Sequence, residues 1–217
     1  MLNTPMLRAL PHARASTTNM ATTPMSNGIQ INWFLAYKFI NSLFLGLSIG
    51  SVFVLYSPLS PSIFSAGGIG LALGTLLIAT QYHRLFNVRW LFRISLGVEL
   101  VILAGVIGVL IQPIDTPLAL FIYIGYQFSF AFGSYLVRCE TFLINAQANL
   151  KQLDIAKQAG YLLGMAGAWL FYELVESVWS ISERTEQVTA IHWPLLVIEA
   201  GVVASLVRAF PARQRAS

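Results

Sequence analysis

The stretch WLFRISLGVELVILAGVIGVLIQ, residues 90–112, decides the fold of this chain. It is long enough for one membrane-spanning helix, which needs about 20 predominantly apolar residues. Its acidic residue, Glu99, is the first of the whole chain, because none of the 98 residues before it is Asp or Glu. A carboxylate at membrane depth is energetically expensive, so Glu99 is a candidate functional residue.

The composition of the whole chain is that of an integral membrane protein. Hydrophobic residues make up 56% of the 217 residues and charged residues only 10%, and the mean hydropathy is +0.68. An ordinary soluble domain carries about 25% charged residues, so this chain cannot cover a surface that faces water. The single cysteine, Cys139, excludes an internal disulfide and a multi-thiolate metal site, and we expect no cofactor.

Six apolar runs are long enough to cross a membrane, and breakers such as Ser57-Pro58 and Gln112-Pro113 separate them. The runs lack the alternation of a membrane β-barrel, so we predict an all-α bundle of six transmembrane helices. We expect the end of the fourth run, about 139–152, to continue into the cytoplasm or along the interface. Pro194 is compatible with the first turns of the last helix. The runs cover about residues 34–56, 63–81, 90–112, 117–144, 156–175 and 189–210.

Lysine and arginine near the span ends indicate the orientation, because cytoplasmic loops carry an excess of both. One side has eleven of the 13 basic residues, whereas the other side has Arg184 among four glutamates. Both termini are therefore predicted to be cytoplasmic, and the expected location is the bacterial inner membrane. Since the basic residues mark one membrane side, we expect no nucleic-acid partner. The eleven are Arg8, Arg14, Lys38, Arg84, Arg89, Arg93, Lys151, Lys157, Arg208, Arg213 and Arg215.

This layout divides the chain into three segments. We predict a disordered cytoplasmic tail over residues 1–30, a transmembrane domain over residues 31–210, and a short basic cytoplasmic tail over residues 211–217. The first segment contains Ser, Thr, Pro and two Arg but no acidic residue. Because that composition is also found in transit peptides, a transit peptide is the alternative interpretation of the tail.

Small residues spaced four apart form stripes on four of the predicted helices. Such stripes let membrane helices approach closely, so we predict a tightly packed bundle. The alternative is that glycine is simply common in membrane helices. The stripes are Ser42, Gly46 and Gly50; Ala66, Gly70 and Gly74; Gly125, Ser129 and Gly133; and Gly160 and Gly164.

A polar stripe follows one face of the fourth predicted helix, and such a face is expected to meet a cavity or other helices rather than lipid. Arg138 has two interpretations, a cavity residue or a snorkelling arginine at the cytoplasmic boundary. Glu140 falls on the opposite face, which assigns it to a helix contact or to the cytoplasmic rim. The stripe comprises Tyr123, Gln127, Ser134, Arg138, Thr141 and Asn145.

Two acidic residues lie well inside the predicted spans. Glu99 is about 9 Å deeper than Arg93, too far for a short side chain to reach the surface easily. It is expected to be protonated, paired or beside water, and either proton carriage or hydrogen-bonded helix packing would explain it. Glu199 is near mid-membrane in the sixth run, with His192 on the same face. That histidine is either part of a proton relay or an interfacial anchor beside Trp193.

The six spans with both ends inside and a basic connection between the second and third spans resemble one half of a major facilitator superfamily transporter. The family's connection reads Gly-x-x-x-Asp-Arg-x-Gly-Arg-Arg. Arg84 matches the first arginine of this pattern, whereas Ala79 and His83 stand at the glycine and aspartate positions. The resemblance covers about residues 34–210.

The glycine-rich fifth span extends the resemblance. Gly160 and Gly164 match the two glycines of the family's Gly-x-x-x-Gly-Pro pattern, with Met165 in the place of the proline. In that family two six-helix halves enclose a central substrate path. The resemblance therefore implies that this chain supplies one half and pairs with a second copy or with another half.

Two functions are open on these observations. The first is a transporter of a small polar or anionic solute, in which Arg138 attracts the anion and Glu99 carries a proton. Gln127, Asn145 and Glu199 would line the same path. The second is a membrane assembly protein that uses its small-residue stripes to bind other spans of a larger complex. We do not expect an enzyme, because the sequence has no Ser, Cys or metal constellation suited to intramembrane hydrolysis.

Overall fold

The computed structural model describes residues 28–144 and 147–211, and within these ranges the chain forms seven helices and no strand. Six of the helices are long, and the remaining one, α3, is a single turn between α2 and α4. Their bounds are α1 Ile31–Leu55, α2 Pro61–Thr80, α3 Tyr82–Leu85, α4 Val88–Ile111, α5 Thr116–Leu143, α6 Gln147–Trp179 and α7 Arg184–Ala209.

Five of the helices described, α1, α2, α4, α5 and α7, are long and apolar enough to cross a membrane. The chain is therefore an all-helical, multi-pass membrane protein. Helix α6 has 33 residues but is not among the five, and it carries Lys151, Asp154 and Lys157 near its start and Glu173 and Glu176 near its end.

Local sequence signals determine where several helices begin. Pro61 opens α2, a position where its missing N–H costs nothing. The side chain of Asn87 accepts a hydrogen bond from the N–H of Trp90 at 3.0 Å at the start of α4. At the start of α5, Asp115 does the same for Leu118, also at 3.0 Å.

Three helix ends differ from the sequence-based expectation. Helix α7 begins at Arg184, so Pro194 lies inside the helix rather than in its first turns. A proline there leaves one carbonyl without its helical partner, which membrane helices tolerate because neighbours satisfy it. Helix α6 extends beyond the predicted 156–175 at both ends. Helix α5 ends at Leu143, within one residue of the predicted end of the fourth run.

The long helices pack in the spatial order α6, α1, α7, α4, α5, α2. Helix α1 packs on α6 and α7, α4 packs on α7 and α5, and α2 packs on α5. These five pairs map onto one another when α1, α2 and α4 are exchanged for α5, α6 and α7, whereas the smaller contact between α6 and α7 lies outside this pattern. The bundle therefore has the neighbour pattern of an internal three-plus-three repeat. The N–H of Gln30 donates to the carbonyl of Ala209 at 2.9 Å, so the start of α1 meets the end of α7.

Glycine allows the closest helix contact of the bundle, between α1 and α6. A Cβ atom at Gly46 would overlap the carbonyl oxygen of Tyr161 and lie 3.0 Å from the Cα of Gly164. A Cβ at Gly164 would in turn overlap the carbonyl oxygen of Leu43. The predicted close packing thus holds for these two stripes, where backbone meets backbone.

The stripe of α2 and the C-terminal end of the α5 stripe behave differently, although a Cβ atom at Gly125 in α5 would lie 2.9 Å from the side chain of Val101. A Cβ atom at Gly70 or Gly133 would meet no other atom within 4 Å, and one at Gly74 would meet only the Cβ of Ala131, at 3.5 Å. Among the described residues, no side chain of α2 is buried. The prediction that all four stripes pack inside the bundle was therefore wrong for α2, whose small-residue face stays open in the single chain.

Replacing Gly46 by leucine should destabilise the bundle, because the new side chain meets backbone atoms that cannot rotate away. Overpacking of this kind costs about 1–3 kcal/mol or more. The measurement is the thermal unfolding midpoint of the purified protein in detergent. The matched control is Gly70→Leu, where the space is open. Equal midpoints for both variants would contradict the close α1–α6 contact.

Candidate functional site

Glu99 lies on α4 with its carboxyl group directed at α1. Its side chain is buried, and the Tyr37 hydroxyl donates a hydrogen bond to Oε1 at 2.6 Å. The amide nitrogen of Asn41 donates to Oε1 at 3.0 Å and to Oε2 at 3.1 Å. Tyr37 and Asn41 are four residues apart and therefore share one face of α1. The pairing expected for a glutamate at this depth is thus provided by two neutral donors.

Next to this group, a buried ion cluster joins α1, α5 and α6. The ammonium group of Lys38 pairs with Oε1 of Glu140, and the ammonium group of Lys157 donates to Oε2 at 3.3 Å. Both Lys38 and Glu140 are buried, whereas Lys157 is partly exposed. The Lys38 ammonium also lies 4.8 Å from the centre of the Tyr37 ring, a cation–π contact. Of the two assignments left open for Glu140, the structure shows the helix contact.

Glu199 on α7 is fully buried, yet neither of its carboxyl oxygens has a hydrogen-bond partner among the described residues. It is close enough to Glu99 for the two carboxyl groups to interact electrostatically, across the packed pair α4 and α7. Buried polar groups almost always have a partner, so an unpaired carboxyl at this depth calls for an explanation. The structure therefore brings two of the predicted site residues, Glu99 and Glu199, together.

A small cavity of about 20 Å³ lies between α1, α4, α5 and α7. Its polar lining consists of Ser48, Ser51, Tyr126 and His192, and Leu195, one turn from Glu199, also lines it. A cavity needs about 10–15 Å³ on this scale to hold one water molecule. The space is therefore sufficient for a single water. The Nδ1 atom of His192 donates to the Val188 carbonyl at 2.6 Å, which fixes the orientation of the ring.

The polar stripe of α5 lies elsewhere, towards α2 and α3. The hydroxyl group of Tyr123 donates to the carbonyl of Phe64 in α2 at 3.2 Å. Arg138 is exposed, with its guanidinium group 5.8 Å from the centre of the Tyr82 ring. Gln127 is half-buried, and its side-chain oxygen has no partner among the described residues. Asn145 lies outside the residues that the structure describes.

Arg138 is therefore not brought together with Glu99 and Glu199 in the single chain. The cation beside Glu99 is instead Lys38, which the sequence analysis counted only as an orientation signal. A signal for it was present, because Lys38 is the one charged residue of a long apolar helix and Tyr37 and Asn41 lie on the same side of it. The partners of Glu140 gave no such signal, since they come from two different helices.

Comparison with protein-family models, with curated proteins and with solved structures finds no match to this chain. Within residues 28–144 and 147–211, His, Cys, Asp and Glu side chains form no group of three or more that could hold a metal ion. Fold and site together define the class of protein: an all-helical, multi-pass membrane protein with ionisable side chains buried between its helices.

Replacing Glu140 by glutamine should destabilise the protein strongly, because Lys38 loses its ion-pair partner in a buried position. Removal of one partner of a buried pair costs about 3–5 kcal/mol. The exposed residue Glu176 provides a control, since Glu176→Gln makes the same chemical change on the surface. Thermal unfolding in detergent measures both. If Glu140→Gln unfolded at the same temperature as Glu176→Gln, the buried ion cluster would not contribute to stability.

Proposed function

We propose that this chain is a half-size transporter of a small polar or anionic solute, coupled to protons and located in the bacterial inner membrane. All six long helices cross the membrane in this proposal, with α6 as the fifth span and both chain ends in the cytoplasm. Two copies of the chain, or this chain and another half, enclose the solute path.

The neighbour pattern of the helices supports the proposed class. Six-helix halves of major facilitator transporters are built from two inverted three-helix repeats, and exchange of those repeats maps each helix pair onto another pair. The five most extensive helix pairs of this bundle follow the same exchange. The pattern requires α6 to be one of the membrane-spanning helices. Its residues Gly160 and Gly164 pack against the backbone of α1. A single half cannot enclose a path between two halves, so the proposal includes a second copy.

The buried carboxyl groups carry the functional part of the proposal. Glu99 and Glu199 lie deep between α1, α4 and α7, a position where ionisable residues mark proton relays and ion pathways. A carboxyl group without a partner can take up and release a proton without breaking an existing ion pair. Arg138 and Gln127 lie outside this core, on the face of α5 where a solute path between two copies would run. In this arrangement Arg138 attracts the anion.

Transport should be measurable with the purified protein in liposomes. We expect an imposed pH gradient to drive uptake of one member of a panel of labelled monocarboxylates, amino acids and inorganic phosphate. Glu99→Gln and Arg138→Ala should each lower the rate about tenfold or more, which corresponds to about 1.4 kcal/mol in the barrier. Glu173→Gln, a change on the exposed surface of α6, should leave the rate unchanged. A rate that neither Glu99→Gln nor Arg138→Ala affects would exclude these roles.

A second candidate function is supported by the open face of α2. None of its residues is buried, and both Gly68 and Gly70 have empty space where a side chain would lie. Small residues at a free helix surface allow another membrane helix to approach closely. A membrane assembly protein would use this face to hold a partner in a larger complex, and it would move no solute.

The oligomeric state in mild detergent discriminates between the two functions. The transporter requires two halves, so we expect a particle with the protein mass of two chains in native mass spectrometry or light scattering. The assembly protein is expected as a monomer or as a defined complex with other proteins. Gly70→Leu should disrupt a partner contact through α2, whereas a contact elsewhere would leave the mass of the variant unchanged.

A further inference from the structure

A chain of interactions connects the buried ion cluster to the two carboxyl groups of the site. Lys38 bridges its two parts, because its ammonium group pairs with Glu140 and also interacts electrostatically with Glu99. Glu99 in turn interacts with Glu199. The ionisable members of this chain of contacts are Lys38, Glu99, Glu140, Lys157 and Glu199.

The charges of these five groups do not balance. With all five ionised, two ammonium groups face three carboxylates, and the cluster carries one uncompensated negative charge. An uncompensated charge away from water is very costly, and such a group is neutralised instead. Either one carboxyl group holds a proton, or a monovalent cation is bound beside it.

The hydrogen-bond donors around each carboxyl group indicate which one is neutral. Glu140 has two ammonium groups, and Glu99 has the Tyr37 hydroxyl and the Asn41 amide, with Lys38 nearby. Donors aimed at a carboxyl group stabilise its ionised form. Glu199 has no donor on either oxygen among the described residues, although it is fully buried. A neutral acid in that position costs far less than a carboxylate.

We propose that Glu199 is the binding site of one exchangeable proton, with Glu99 as the ionised carboxylate that faces it. The proton moves to Glu99 when Glu199 releases it, so the pair shares a single proton. Of the groups that interact electrostatically with Glu199, Glu99 belongs to α4 and Tyr126 to α5, while the Tyr37 hydroxyl of α1 donates a hydrogen bond to Glu99.

The small cavity provides an exchange route for this proton. His192 lies two turns before Glu199 on the same face of α7 and lines the cavity together with Tyr126. One water molecule fits there, and the nearest lining residue to Glu199 on the same helix is Leu195, one turn before it. In this proposal, protons pass from His192 and the cavity to Glu199.

This inference deepens the proposed transport function by assigning its proton site, and it can be tested without any solute. A protonated carboxyl group has a C=O stretching band that is separate from the carboxylate bands and shifts in D2O. Infrared spectra of the full-length protein in detergent at neutral pH should show one such band. The other six acidic side chains are exposed and do not contribute: Asp115, Asp154, Glu173, Glu176, Glu183 and Glu186.

Two variants assign the band. Glu199→Gln should remove it, because Glu99 and Glu140 then balance the two ammonium groups of Lys38 and Lys157. Glu176→Gln, at the protein surface, should keep it. A band that persists in Glu199→Gln would overturn the assignment. Absence of any band in the wild-type protein would overturn the proposal, and this result does not depend on the folding of a variant.

The ionic composition of the buffer separates a proton from a metal cation at the same place. The band should have the same intensity in sodium chloride and in choline chloride. A band seen in choline but lost in sodium would mean that Na⁺ occupies the site, which would replace the proton. If the band behaves as expected but no solute moves in liposomes, the proton site is supported and the transport proposal fails separately.

Discussion

The constraint on which the rest of the structure depends is that a carboxyl group between membrane helices must be paired or neutral. The three carboxyl groups differ in how they are compensated. Glu140 is paired with two lysines, Glu99 accepts hydrogen bonds from neutral donors, and Glu199 has neither kind of partner among the described residues. The charge of an ionised carboxyl group is thus compensated best at Glu140, less well at Glu99 and least at Glu199. The least compensated group is the one for which the neutral, protonated form is most favoured.

Helix α1 makes this series possible, because it contacts both sides of the bundle. Its glycine face lets α6 approach to backbone contact, while its polar face presents Tyr37, Lys38 and Asn41 to α4 and α5. The two faces are related, because Glu140 pairs with both Lys38 of α1 and Lys157 of α6. A wider α1–α6 separation would move the two lysines apart, and Lys157 away from Glu140. Close packing through Gly46 and Gly164 and the charge balance of the core are therefore two parts of one arrangement.

The sequence predicted the positions of the helices along the chain better than their neighbours in the bundle. Hydropathy located α4 and α5 to within two residues and indicated the burial of Glu99, because both depend on local composition. The residues that contact Glu99 were not predictable in the same way. Helical periodicity tells which face a residue lies on, but the helix that covers the face is decided by tertiary packing. Arg138 was expected to share a path with Glu99, whereas it is exposed beside Tyr82.

The position of the carboxyl pair has a consequence for how proton and solute would be coupled. Glu99 and Glu199 lie inside one chain, whereas a solute path in a two-half transporter lies between halves. The proton then cannot act by touching the solute, and its effect must pass through the helices. Lys38 is the group able to transmit it, since the same ammonium interacts with Glu99 and with Glu140. When Glu99 gains a proton, the competition for Lys38 ends, and the contact that joins α1 to α5 and α6 strengthens. A coupling of this kind links the protonation of Glu99 to the packing of α1 against α5 and α6 through electrostatic interactions with Lys38.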